Sequence, residues 1–341
     1  VGGNSPDESG QEIVLSLTRL NAIRAVDPLS DTMTVEAGVT LLDAQNAADA
    51  ADRLFPLSLA SEGSCTIGGN LGTNAGGTAV LAYGNARDLV LGLEVVLADG
   101  RIWNGLGKLR KDNTGYDLKH LFIGAEGTLG VITAAVLKLF PKPDAIATVY
   151  CGLKSAKAAL DLLALAKKRM GSSVTTFELL PRLSIEMSVV HMGCREPLAD
   201  HHDWYVLMEL SSASDPHLQQ RCEDLLADAL AQNIIDDATL AASLDQRNAF
   251  WRLREMLPEA QGFEGGSIKH DISVPLSDVP AFIEAVDKDL LDWMPGCRPM
   301  PFGHLGDGNL HYNIAQPVGM DKKAFMDRRE DCLLYTSDAA D

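Results

Sequence analysis

Hydrophobic and polar positions along the chain follow two regimes, which meet near Pro141-Lys142-Pro143. Before that point, short β-type runs are interrupted by glycine. Residues 13–17, 32–37, 91–98 and 130–139 read as strands, with Asp99-Gly100 as a tight turn after the third. Residues 40–53 carry a helical pattern opened by a Thr40 cap and followed by Pro56. Beyond the prolines the period lengthens. Residues 155–170, 216–232, 240–256 and 276–291 read as helices, and 204–210 and 268–274 as strands. Two prolines in three residues stop a strand and stiffen a connection. The expected organisation is therefore α+β, with domains at 1–143 and 144–331. Residues 332–341 break the pattern of the charged segment before them and read as a non-native tail.

Composition narrows the class of molecule. At 341 residues, with 46% hydrophobic and 22% charged residues, the chain suits two folded domains. A net charge of −18 disfavours a nucleic-acid partner, because phosphate is bound by clustered Lys and Arg. An anionic ligand then requires a local group of cations that overrides the global sign. No run approaches the roughly 20 apolar residues of a membrane-spanning helix. The six cysteines form no CxxC pair, which fits a reducing compartment. The expectation is a soluble cytoplasmic protein, at most peripheral to a membrane. The chain opens on Val1 without Met, so an upstream segment is allowed for.

Three stretches carry candidate chemistry in the first domain. Residues 67–77 hold five glycines interleaved with Asn70, Thr73 and Asn74. Repeated bare N–H groups in such a loop suit a pyrophosphate. The run lacks both GxGxxG opening a helix and GK[ST], which argues against Rossmann and P-loop readings; an ordinary glycine turn stays open. A second cluster, Gly124 to Gly130, leads into an apolar strand, and Lys111-Asp112-Asn113-Thr114-Gly115 lies between the two.

Taken in order, SEGSCTIGGNLGTNAGG, YGNARDLVLGLEVVLADG and LRKDNTGYDLKHLFIGAEGTLGVIT resemble the FAD-binding domain of the FAD-linked oxidases. That is the vanillyl-alcohol oxidase and p-cresol methylhydroxylase superfamily, and the D-2-hydroxyglutarate, D-lactate and glycolate dehydrogenase branch within it. The resemblance runs from residue 1 to about 329. It implies a two-subdomain flavin domain followed by an antiparallel-sheet substrate domain with flanking helices. It also implies FAD contacts at Gly2, Gly3, Gly63, Gly68, Gly69, Asn70, Thr73, Asn74, Gly76, Gly77, Gly127, Thr128, Gly130 and Ile132. Val1-Gly2-Gly3 resembles the end of the family's first pyrophosphate loop, so the chain reads as shortened at that end. All eight histidines lie at or after His120, outside the glycine clusters, which favours non-covalent FAD.

In the second domain, Pro301-Phe-Gly-His304-Leu-Gly-Asp-Gly-Asn-Leu-His311-Tyr-Asn313 is the most chemical stretch. Gly306, Asp307 and Gly308 rule out a continuous helix, so His304 and His311 are expected at two ends of a turn. Alternation then puts His311 and Asn313 on one face and Leu310, Tyr312 and Ile314 on the other. Spacing alone leaves a pair of structural histidines ahead of half a metal site. The resemblance reverses that order: HxxxxxxH resembles the family's divalent-metal motif, with zinc the first expectation. The Glu-His pair that completes the family's site has no counterpart after His311.

Arg254 on a predicted helix, and Lys269 on a strand face shared with Asp271 and Ser273, would each read alone as a surface charge. The resemblance implies that they hold the substrate carboxylate, with Asn313 beside them. Pro258 stands where hydroxyglutarate-preferring relatives carry a hydroxyl.

The expected function is oxidation of a small anionic D-2-hydroxy acid to the 2-oxo acid by hydride transfer to FAD. His304 and His311 would be catalytic through the metal, and a quinone or an electron-transfer protein would take the electrons. A homodimer is allowed for. The alternatives are a catalytically incompetent FAD-binding fragment and, with both glycine clusters unexplained, a metal-dependent hydrolase.

Overall fold

The computed structural model describes residues 6, 7 and 9–332; Gly2, Gly3 and nearly all of the 332–341 tail lie outside them. Up to the linking prolines the elements run β1 (Ile23–Asp27), β2 (Thr32–Glu36), α1 (Leu41–Ala50), β3 (Arg53–Leu54), α2 (Ile67–Gly72), α3 (Val80–Tyr83), β4 (Val90–Val96), β5 (Ile102–Gly105), α4 (Lys119–Phe122), β6 (Val131–Lys138) and β7 (Phe140–Pro141). They continue as β8 (Ala145–Leu153), α5 (Ala156–Met170), β9 (Val174–Pro181), α6 (Arg182–Met192), β10 (Trp204–Ser212), α7 (Leu218–Ala231), β11 (Asp237–Leu240), α8 (Leu244–Glu255) and α9 (Leu257–Ala260). The last are β12 (Ser267–Ser273), α10 (Val279–Trp293), β13 (Arg298–His304), β14 (Asn309–Ala315) and α11 (Lys322–Met326). The chain forms two compact units. One takes residues through Gly77 together with Tyr83–Lys142; the other takes Thr78–Ala82 and everything from Pro143.

The first unit is built on a five-stranded antiparallel sheet ordered β1-β2-β6-β4-β5. Met33, Val35, Leu93, Val95, Ala135 and Leu137 form its core with Leu41, Ala44 and Ala48 of α1. Helix α1 starts where the sequence predicts, because Thr40 Oγ1 accepts from the Asp43 N–H at 3.1 Å. Residues 13–17 do not form the expected strand. Ile13, Val14 and Leu15 are exposed and have no ladder partner among the described residues, so β-type composition is not matched there by a neighbouring edge. The hairpin through Asp99-Gly100 does form, joining β4 to β5.

The second unit carries a seven-stranded antiparallel sheet ordered β11-β8-β10-β9-β13-β14-β12. Helices α5, α7 and α10 cover one face through residues such as Leu162, Leu225 and Phe282. Helices α6, α8 and α9 cover the other through Ile185, Leu253 and Leu257. Strands β8, β9 and β13 go unpredicted because such a sheet is covered on both sides, so its strands lose the in-out alternation that marks a half-buried strand. The helix expected at 240–256 starts only at Leu244, capped by Ser243, because β11 pairs with β8 just before it.

Candidate functional site

Four neighbouring strands of the second unit bring the expected side chains onto one sheet face. Directly opposed residues in an antiparallel pair point the same way. The register places Glu178 opposite His304, Phe302 opposite His311, Asn313 opposite Lys269, and His311 opposite Asp271. Leu310, Tyr312 and Ile314 go to the other face and into the core, as the alternation predicts. His304 and His311 flank the β13–β14 turn with ring centroids 5.3 Å apart. Gly308 closes that turn at φ +81, where a Cβ would meet the Val274 carbonyl oxygen at 2.4 Å.

Each imidazole is held from behind by a carboxylate. His304 Nδ1 lies 2.5 Å from Glu178 Oε1, and His311 Nδ1 lies 3.5 Å from Asp271 Oδ1. Burial disfavours the charged form of His304, but Glu178 more than offsets this and raises the imidazole above its ordinary value. Burial likewise works against Glu178 as a carboxylate; the adjoining His304 and Arg254 cations reverse that and hold it at about 2. Asp271 is held low chiefly by its bond to His311.

Arg254 reaches the same face from α8. Its Nε donates to Glu178 Oε2 at 2.6 Å, and its guanidinium carbon stands 4.9 Å from the Phe302 ring centroid. The two terminal nitrogens have no acceptor among the described residues. Lys269 is exposed and has no ion pair among them either. Asn313 is buried and its Nδ2 donates to Gln261 Oε1 at 2.9 Å. Gln261 Nε2 is buried without a partner among the described residues.

The sequence reading missed Glu178 and Gln261. A carboxylate inside the apolar run Phe177-Glu178-Leu179-Leu180 is the signal that could have singled out the first. Nothing marks Gln261 in advance. Among the described residues, no group of three or more His, Cys, Asp or Glu side chains is arranged to hold a metal ion. The metal expectation therefore stands on the two imidazoles alone.

The glycine run of the first unit departs from the expected loop. Thr66 caps it, its Oγ1 accepting from the Gly69 N–H, and residues Ile67–Gly72 form α2. The Ile67, Gly68, Asn70, Thr73, Asn74 and Ala75 N–H groups all donate to the protein's own carbonyls, so the expected row of free donors is shortened. Gly68 is needed for packing, since a Cβ there would stand 2.7 Å from Ala37 Cβ. Asn70 is buried, Asn74 Oδ1 accepts from the Arg87 N–H, Thr73 Oγ1 donates to Gly69, and Ile132 belongs to the core. Gly130 sits against Val95, and Thr128 Oγ1 donates to the Ala125 carbonyl.

The structure does bring the two glycine clusters together. Gly124 donates to the Leu71 carbonyl and Glu126 to the Gly72 carbonyl, both at 2.9 Å. Gly63, Gly72 and Gly127 face open space where a Cβ would stand, while Gly76 and Gly77 follow the helix half-buried. Gly77 and Gly127 have N–H groups without an acceptor among the described residues.

Two family models match the chain. Residues 142–332 match the model of the FAD linked oxidases, C-terminal domain, and residues 2–105 match that of an FAD binding domain. The chain belongs to the FAD-linked oxidase family. Among its relatives are the mitochondrial D-2-hydroxyglutarate dehydrogenase of Danio rerio, 37% identical over 317 residues, and that of Arabidopsis thaliana, 36% identical over 323 residues. These alignments take in 93% and 94% of this chain, and 58% and 57% of the relatives. The D-2-hydroxyglutarate–pyruvate transhydrogenase of Saccharomyces cerevisiae is 38% identical over 312 residues, 89% of this chain and 63% of that protein. The chain thus spans under two thirds of the length of these relatives.

Two solved structures share the fold at 16% identity and over 94% of this chain. They are p-cresol methylhydroxylase (TM-score 0.72, 69% of that chain) and alkyldihydroxyacetonephosphate synthase (TM-score 0.71, 60% of that chain). Among the described residues no helix is long and apolar enough to cross a membrane.

Proposed function

We propose that the protein is an FAD-dependent dehydrogenase that oxidises a D-2-hydroxy acid to the 2-oxo acid. The observation that carries this reading is a guanidinium whose two terminal nitrogens have no acceptor among the described residues, on the same sheet face as two adjacent imidazoles, in a chain with an FAD-binding domain. The names of the relatives support D-2-hydroxyglutarate first among such acids.

Arg254 would grip the acid's carboxylate with its two terminal nitrogens, because the planar fork matches two carboxylate oxygens. Lys269 would add a point charge and Asn313 an amide to fix the acid's orientation. His304 and His311 would hold a divalent ion, with zinc first, through the ring nitrogens left open by Glu178 and Asp271. Such an ion polarises a bound hydroxyl oxygen and lowers its pKa. FAD, when bound, supplies the acceptor for the hydride leaving C2, and the hydroxyl proton would pass to water. The open backbone at Gly63, Gly72 and Gly127 and the N–H groups of Gly77 and Gly127, which have no acceptor among the described residues, fit a flat, anionic cofactor held without a covalent link. Electrons would pass on to a quinone or an electron-transfer protein. The relatives' names set a mitochondrial compartment beside the cytoplasmic expectation.

The test is turnover with an artificial electron-accepting dye across D-lactate, D-malate and D-2-hydroxyglutarate, using protein loaded with FAD. Lys269→Ala and His311→Ala should each lower kcat/KM without loss of flavin. Unchanged kcat/KM in both variants would remove these residues from the site. A protein that is yellow yet inert with all three acids would favour the FAD-binding fragment.

A further inference from the structure

Strand β9 is buried along its whole length, and Glu178 lies at its centre fully out of water. A carboxylate in that position is costly unless charged partners surround it. Two do. Oxygen Oε1 meets His304 Nδ1 at 2.5 Å and Oε2 meets Arg254 Nε at 2.6 Å, so each carboxylate oxygen serves a different partner. Those partners belong to separate tasks in the reading above, one to the metal half of the site and one to the carboxylate clamp.

The geometry explains what one shared acceptor does. A guanidinium bonded through Nε, with its central carbon over the Phe302 ring at 4.9 Å from the centroid, is held from two directions. Its side chain is only 11% exposed, so it has little room to swing, and its terminal nitrogens are left for a ligand. An imidazole whose Nδ1 is committed to a carboxylate has only Nε2 left to offer. His304 also faces Glu178 directly across the β9–β13 pairing, which holds this contact by backbone register.

We propose that Glu178 is a positioning residue that aims both halves of the site at once. It turns Arg254 so that its terminal nitrogens receive the substrate carboxylate, and it turns His304 so that Nε2 is the ligating atom. The inference rests on the proposed roles of Arg254 and His304. It adds that the two roles are joined through one buried carboxylate.

The experiment is a double-mutant cycle on the full chain loaded with FAD, reading equilibrium binding of D-malate by calorimetry in wild type, Glu178→Gln, Arg254→Ala and the pair. An amide cannot accept from both partners, so Glu178→Gln should weaken D-malate roughly 10- to 100-fold, the range for groups that orient a site from behind. In the Arg254→Ala background, with no divalent ion added, the same change should matter less than about 2-fold, because Glu178 then acts on the acid through that arginine alone. A merely structural role would instead give losses that multiply.

Glu178→Asp keeps the charge while drawing it back by one methylene; it should show a smaller loss that also vanishes beside Arg254→Ala. This keeps the cycle readable if the glutamine variant fails to fold. Zn²⁺ alone, titrated into the same proteins, should bind about 10-fold or more weakly to Glu178→Gln and unchanged to Arg254→Ala.

Wild-type D-malate affinity in Glu178→Gln or multiplying losses overturn the clamp half of the proposal. Equal Zn²⁺ binding by wild type and Glu178→Gln overturns the His304 half, absence of binding in both included. Equal D-malate binding by wild type and Arg254→Ala sinks the clamp reading itself, and this inference with it.

Discussion

In the first unit the groups open to a ligand are backbone, at Gly63, Gly77 and Gly127, and the side chains around them are tied into the protein. In the second unit they are side chains carried by β12, β13, β14 and α8, and the buried Glu178 behind them lies 126 positions before His304. A backbone site is fixed by local conformation, so its residues come in short contiguous runs of the chain. A side-chain site is fixed by strand register, so only its folded form gathers it. The two sites should therefore fail independently, and the expected effects can be ranked from there.

The largest effect is expected for His311→Ala. Loss of a proposed metal-holding imidazole should lower kcat/KM by ~10³-fold, about 4 kcal/mol of transition-state stabilisation. Flavin content should stay at the wild-type level. Concurrent loss of flavin, measured as absorbance per chain, would break the separation of the two sites.

Gly68→Val should do the reverse. Even its Cβ would stand 2.7 Å from Ala37 Cβ and 3.0 Å from the Ala37 carbonyl oxygen. Overpacking of this kind destabilises by about 1–3 kcal/mol. Thermal melting should shift down and flavin content fall, while Zn²⁺ binding by the second unit persists. Thr66→Ala, which removes the cap on α2, should lower stability by about 1 kcal/mol, read from denaturant midpoints.

A smaller effect is expected from acid. Glu94 is held below its ordinary value chiefly by Arg24, against burial and with help from Thr133. A depressed carboxyl stabilises the fold above its ordinary value, and that contribution is lost as pH falls through the lowered one. Both side chains are partly exposed, so the contribution is at most about 1 kcal/mol. Glu94→Gln should flatten stability against pH on the acid side. A profile unchanged from wild type would show that Arg24 does not support Glu94.

These contrasts also explain what the sequence revealed. The glycine clusters were legible because each is contiguous, but α2 was not, since six residues with three glycines carry no helical signal. Thr40 announced its helix because capping is a local exchange between neighbours. His304, His311 and Asn313 were placed correctly by turn chemistry and alternation within a single hairpin. Glu178 escaped because its meaning lies in its partners 76 and 126 residues away. Residues 13–17 misled because strand-like composition forms a strand only where an edge receives it.

The most direct measurement adds D-2-hydroxyglutarate, D-malate or D-lactate anaerobically to FAD-loaded protein and follows the flavin's blue absorption band. The account predicts that at least one of these acids bleaches the band, that its L-enantiomer does not, and that His311→Ala slows the bleaching. A band left unchanged by all three D-acids in protein that retains its FAD would contradict it.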